Sequence, residues 1–142
     1  MKINVLSAYQ TTAEEFFNKI LGWKATLVLD IRLKNTNQLS GFTKQEDLEY
    51  FTHVIAHADY VHDVEYSPRS RYSMPIRCSM PYEEYFKKYA EELKVDNAIP
   101  DFFKKYGSYD SIAIVGTATK KRHSHAEELL KLLKEYNPSI TS

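Results

Sequence analysis

The sequence predicts an α/β fold, a three-layer sandwich whose mainly parallel central sheet is flanked by helices. Short β-rich runs alternate with stretches whose apolar residues recur at helical spacing. Two of the runs, TLVLDIRL at 26–33 and SIAIVG at 111–116, are almost unbroken apolar sequence, as expected of strands covered on both faces. Connections long enough to hold a helix favour parallel neighbours joined by right-handed crossovers. A chain of 142 residues fits one domain spanning 1–142, which can bury well over half of its extended-chain surface without disulfides or a structural metal.

The elements follow in order. KINVLSAY at 2–9 is the first strand, and the helix after it carries Phe16, Phe17, Ile20 and Leu21 on one face. Thr12 and Glu15 have the spacing of a capping box, and Gly22 is a natural stop. The central strand 26–33 leads into a turn-rich stretch at 34–42. Thr43 and Glu46 then repeat the capping-box spacing before a helix with Leu48, Phe51, Thr52 and Ile55. ADYVHDVEY at 58–66 alternates as a third strand. Residues 67–80 hold two prolines and three arginines and read as a long loop, a kind of segment that is often functional. Pro81 opens a helix with Tyr82, Tyr85, Phe86, Tyr89 and Leu93 on one face. A shorter helix runs from Pro100 to Tyr106, with Gly107 to end it. After the strand at 111–116, Ser124 and Glu127 supply a third capping box for a helix with Leu129, Leu130, Leu132, Leu133 and Tyr136.

The formal charge is zero, with Lys+Arg 19 against Asp+Glu 19, but it is unevenly spread. Arg32, Lys34 and Lys44 occur without an acid between Arg32 and Lys44. The same holds for Arg69, Arg71 and Arg77 between Tyr66 and Met80, and for Lys120, Lys121 and Arg122 between Gly116 and His125. Each basic stretch follows a predicted strand, so a parallel sheet would deliver all three to its carboxyl edge, where open α/β folds bind ligands. Guanidinium groups pair bidentately with phosphate or carboxylate, and helix N-termini add N–H donors. An anion cleft is therefore expected, with Arg32, Arg69, Arg71, Lys121, Arg122 and His125 as binding residues and Asp30, Glu65 and His123 as the groups for acid–base work. The plainer alternative is a set of solvated basic loops, with Asp30 and Arg32 paired to fix the loop that follows them.

Other chemistries are less favoured. There is no G-x-G-x-x-G, Walker A, G-x-S-x-G or C-x-x-C pattern. His62, Asp63 and Glu65 are metal-ligand types, but H-x-x-E on a strand puts His62 and Glu65 on opposite faces, so no metal is expected. The lone Cys78 reads as a small inert residue, although Arg77 beside it would favour a thiolate. One cysteine, no apolar run long enough to span a bilayer and no signal-peptide pattern at the start suggest a reducing, cytoplasmic setting without membrane contact.

VLDIRLKNTNQLSGFTKQEDLEYF resembles the domain of unknown function 488 family, in which a strand ending in Asp-x-Arg leads through a polar loop to Gly-Phe and a helix. VLSAYQTTAEEFFNKIL is similar to that family's opening strand, turn and helix. YVHDVEYSP is similar to its Tyr-x-His-x-x-Glu third strand, and SIAIVGTATKKRHSHAEELLKLL to its last strand, basic turn and final helix. The resemblance implies an α/β fold and a site built from Asp30, Arg32, His62, Glu65 and the 120–125 turn. The family's usual cysteines, at the end of the last strand and in a Cys-His-Arg run, are absent here, so no thiol chemistry carries over, and His123 and His125 both stand near the family histidine. No activity comes with the family.

The preferred reading is an anion-binding α/β protein that takes a phosphate-containing small molecule or nucleotide; the sequence leaves open whether it acts on that ligand and which cofactor, if any, it uses. Two alternatives stand beside it. One is a nucleic-acid-binding module using the same basic face, with Phe42, Tyr66 and Tyr72 as stacking surfaces. The other is a non-catalytic interaction domain or homo-oligomer in which the Met- and Tyr-rich 72–89 region packs on a partner.

Overall fold

The two runs of nearly continuous apolar sequence become the two central strands. In the computed structural model, which describes residues 1–8, 11–32, 42–67, 82–116 and 125–142, four parallel strands stand in the order β1-β4-β2-β3. They are β1 at Lys2–Ser7, β2 at Leu27–Asp30, β3 at Asp59–His62 and β4 at Ser111–Gly116. Every residue of β2 and β4 is buried, whereas β1 and β3, at the edges, are partly open. Residues Leu27 to Asp30 register with Asp59 to His62 on one side and Ile112 to Val115 on the other.

Among the described residues five α-helices cover the sheet: α1 at Ala13–Gly22, α2 at Gln45–Phe51, α3 at Tyr82–Val95, α4 at Ala98–Tyr106 and α5 at His125–Tyr136. The strand order explains which face each one takes. The steps from β1 to β2 and from β2 to β3 advance in the same direction, while the step from β3 to β4 goes back. With crossovers of one hand, that reversal sends its helices to the opposite face. Phe16, Phe17 and Ile20 of α1 and Leu48 of α2 accordingly pack with Leu6, Val28, Ala113 and Val115. Tyr89 and Leu93 of α3, Phe102 of α4 and Leu129 and Leu133 of α5 pack on Ile3, Leu27, Leu29, Ile112 and Ile114. Successive strand residues thus feed two separate cores, which makes the three layers.

Local chemistry shortens or shifts several expected elements. Thr12 caps α1 as expected, its hydroxyl accepting from the Glu15 amide at 3.1 Å, but the left-handed turn beyond the helix falls on Lys24 (φ 53) and not on Gly22. β2 stops at Asp30 because the Arg32 amide turns back to donate to the Asp30 carboxylate at 3.1 Å. Lys44, not Thr43, is the cap residue of α2, and it makes no side-chain cap bond. That helix continues as a π turn, Thr52–Ala56, ended by His57 at φ 52, and Ile55 consequently lies 39% exposed. β3 ends at His62 because the Asp63 carboxylate accepts from the Glu65 amide at 3.0 Å and winds Val64–Tyr66 into a 3₁₀ turn. α4 begins two residues before Pro100, which is tolerated in the first turn. The loop at 67–80 beyond Ser67, the Pro81 helix start, the Tyr82 and Tyr85 side chains, Cys78 and the Ser124 cap lie outside the described residues.

Candidate functional site

Residues two apart on a strand share a face, so Asp30 and Arg32 can meet where β2 ends. Asp30 is fully buried and Arg32 is 1% exposed. The Arg32 side chain donates from Nε to Asp30 Oδ1 at 2.9 Å and from Nη2 to Oδ2 at 2.7 Å. Oδ2 also accepts from the Tyr60 hydroxyl at 2.7 Å, and Oδ1 from the Arg32 amide. Four donors on one carboxylate offset much of the desolvation cost of burying the charge. Arg32 Nη2 reaches on to the Thr43 carbonyl and pins the chain before α2 to the end of β2.

Beyond Asp30, the two backbone carbonyls that leave β2 are held from several sides. His62 Nε2 donates to the Arg32 carbonyl at 2.6 Å. The Ser67 hydroxyl donates to the Ile31 carbonyl, and His125 Nε2 approaches the same oxygen at 3.1 Å. His125 is buried, with its ring edge-on to Tyr89 at 5.7 Å. The exits of β2 and β3 and the entry to α5 are therefore tied together at one point. At this point the chain diverges: β2 leads to α2 on one face, while its neighbours β3 and β4 lead to α3 and α5 on the other. In open parallel sheets, ligands bind at such a divergence.

A second polar cluster lies just beyond, on the α4 side. Lys105 bridges Asp63, at 3.2 Å, and Glu65, and its ammonium sits 5.3 Å from the centre of the Tyr66 ring. The Tyr106 hydroxyl donates to Asp63, and that of Tyr66 to the Ala98 carbonyl at 3.0 Å. Burial, then the charges of Glu65 and Asp63, raise the ionisation of Tyr66 far above the usual tyrosine range. Burial and the bond to Asp63 do the same for Tyr106. Burial alone would lower Lys105, but its bonds to Glu65 and Asp63 outweigh it and raise the ammonium above its ordinary value.

Of the residues expected to form the site, Asp30, Arg32 and His125 come together at the end of β2, and Glu65 lies in the Lys105 cluster. Arg69, Arg71, Lys121, Arg122 and His123 lie outside the described residues. Tyr60, Ser67 and Lys105 were not singled out by the sequence. Alternation along β3 puts Tyr60 and His62 on one face, but only the register beside β2 shows that this face meets Asp30. Among the described residues no group of three His, Cys, Asp or Glu side chains could hold a metal ion. A cleft of about 320 Å³ between the ends of α3 and α5 and the start of α4, lined by Leu93, Ile99, Leu132 and Tyr136, includes none of these site residues.

No helix among the described residues is long and apolar enough to cross a membrane. No curated protein and no solved structure matches the chain. The family model described as domain of unknown function DUF488 matches residues 12–133, which takes in α1, the Asp30–Arg32 pair, β3, β4 and most of α5. The chain belongs to the DUF488 family.

Proposed function

We propose that the crevice at the carboxyl ends of β2 and β3 binds the phosphate of a small molecule, a nucleotide among the candidates, in a cytoplasmic protein. The observation that carries this reading is the joint at the Ile31 and Arg32 carbonyls, held by His62, Ser67 and His125. The three basic stretches all start or end there. Along the sequence, Arg69 follows Ser67 by two residues and Arg122 precedes His125 by three. Arg32 is committed to Asp30 and Thr43, so its part in this reading is to hold the rim, and direct contact with the anion falls to Arg69, Arg71, Lys121 and Arg122.

Calorimetry and thermal shift with inorganic phosphate, a sugar phosphate and ATP test the proposal. Saturable binding is expected for at least one of them. The paired substitutions Arg69→Ala with Arg71→Ala, and Lys121→Ala with Arg122→Ala, should each weaken it about tenfold or more, the loss of one charge-assisted contact. Failure of all three ligands to bind native protein would end this reading. So would binding that both paired variants leave unchanged.

A further inference from the structure

The joint at the end of β2 singles out one nitrogen. A backbone carbonyl can only accept, so His62 Nε2, 2.6 Å from the Arg32 oxygen, carries the hydrogen of the neutral ring, and the lone pair is on Nδ1. No described residue is bonded to Nδ1. The other acid–base candidates among the described residues are engaged: the Asp30 carboxylate by four donors, Glu65 by Lys105, and His125 buried against the Ile31 carbonyl and the Tyr89 ring. His62 itself is half-buried, pairs in register with Asp30 and stands where β2 and β3 diverge.

We propose that His62 couples anion binding to proton uptake: Nδ1 takes a proton from solvent as the anion arrives and becomes its donor, while Nε2–H stays on the Arg32 carbonyl. This rests on the anion-site reading and assigns its pH dependence to one atom. Among the described residues, the charged neighbours leave that role to His62. Asp30 at the end of β2 and Arg32 just beyond it neutralise each other, and the Tyr60 hydroxyl donates to Asp30. Asp63 is bound by Lys105 and Tyr106 of α4. The π turn packed on β3 contributes His53 and His57, both exposed.

Sulfate is the suitable probe, because its own charge is constant where histidine titrates, from about pH 5.5 to 8. Sulfate affinity of the wild type should fall as pH rises, approaching about tenfold per unit at the upper end, as uptake of one proton requires. His62→Gln keeps an amide donor for the Arg32 carbonyl but cannot be protonated, so its affinity should be flat and equal to the weak high-pH value. Ring ¹⁵N shifts of wild-type His62 should report Nε2–H with bare Nδ1 in free protein at about pH 8 and a proton on Nδ1 after sulfate is added. A pH-independent wild-type affinity, an unchanged slope in His62→Gln, or Nδ1 still bare in the complex would each overturn the assignment to His62 and leave the anion site standing. Absence of sulfate binding at every pH would overturn this inference, and the anion site falls with it only where inorganic phosphate, sugar phosphate and ATP also fail to bind.

Discussion

At the scale of single residues, the Asp30–Arg32 pair is where burial and charge meet most sharply. Two ions at 0% and 1% exposure are tolerable only because each satisfies the other. Asp30→Asn removes the charge and leaves the Arg32 guanidinium buried beside a weak acceptor, so we expect a loss of about 3–5 kcal/mol in urea denaturation. The double variant Asp30→Leu with Arg32→Met should lose clearly less than the two single losses combined, because neither ion is then stranded. A loss below about 1 kcal/mol for Asp30→Asn would mean that the pair is a surface-like contact. The pairing was legible from Asp-x-Arg at the end of an apolar strand. The partners Tyr60 and Thr43 were not, because they reach Asp30 and Arg32 through strand register and through the chain after residue 41. Capping patterns are a similar case: Thr12 and Thr43 stand in the same sequence pattern, yet only Thr12 caps, since the Thr43 carbonyl is drawn to Arg32 and the residue is buried.

At the scale of elements, the strands were readable in place and in kind, and their ends were not. Both apolar runs became central strands, since their polar residues fall only at the ends, Asp30 closing β2 and Ser111 opening β4. The third strand was overread to residue 66 because V-H-D-V-E-Y keeps an alternating pattern that the Asp63 carboxylate breaks by capping Glu65. Left-handed backbone at Lys24, His57 and Asn97 ends or begins helices without glycine, so composition carries no trace of those turns. Gly107 is the opposite case. It caps α4 from an ordinary right-handed conformation, and a β-carbon there would meet the Phe103 carbonyl oxygen at 2.3 Å. The neighbour is backbone, so the helix end must shift to admit a side chain. Gly107→Ala should therefore cost about 1–3 kcal/mol in chemical denaturation, although alanine is the better helix former. An unchanged or increased stability would show that the α4 end yields freely.

At the scale of the whole molecule, the tyrosines and the sheet topology together set how the fold responds to alkali. Strand order was not legible from the sequence, since β1 and β2, neighbours along the chain, are separated by β4 in the sheet. That order places β3 at an edge and leaves α4 and the turn after it to close it, through Tyr66 to the Ala98 carbonyl, Tyr106 to Asp63, Tyr109 to Asp59 at 2.7 Å, and Lys105 to Asp63 and Glu65. Each of these donors holds its proton more tightly than usual: Tyr66 and Tyr106 first through burial, Tyr109 first through its bond to Asp59, and Lys105 through carboxylate bonds that overcome burial. In the unfolded chain the same groups release their protons near about pH 10 for tyrosine and 10.4 for lysine. Above that range the unfolded state binds fewer protons than the native one, so stability must fall as pH rises; below it their contribution is complete and flat. The urea midpoint should accordingly show no loss from these groups between about pH 7 and 9 and a steep decline above about pH 10. Phenolate absorbance from the buried Tyr66 and Tyr106 should lag that of exposed tyrosines and appear together with the loss of far-ultraviolet circular dichroism. Tyr66→Phe, which deletes one such group, should make the decline shallower. Full tyrosine ionisation near about pH 10 with the circular dichroism intact would show that β3 is held to α4 by packing alone.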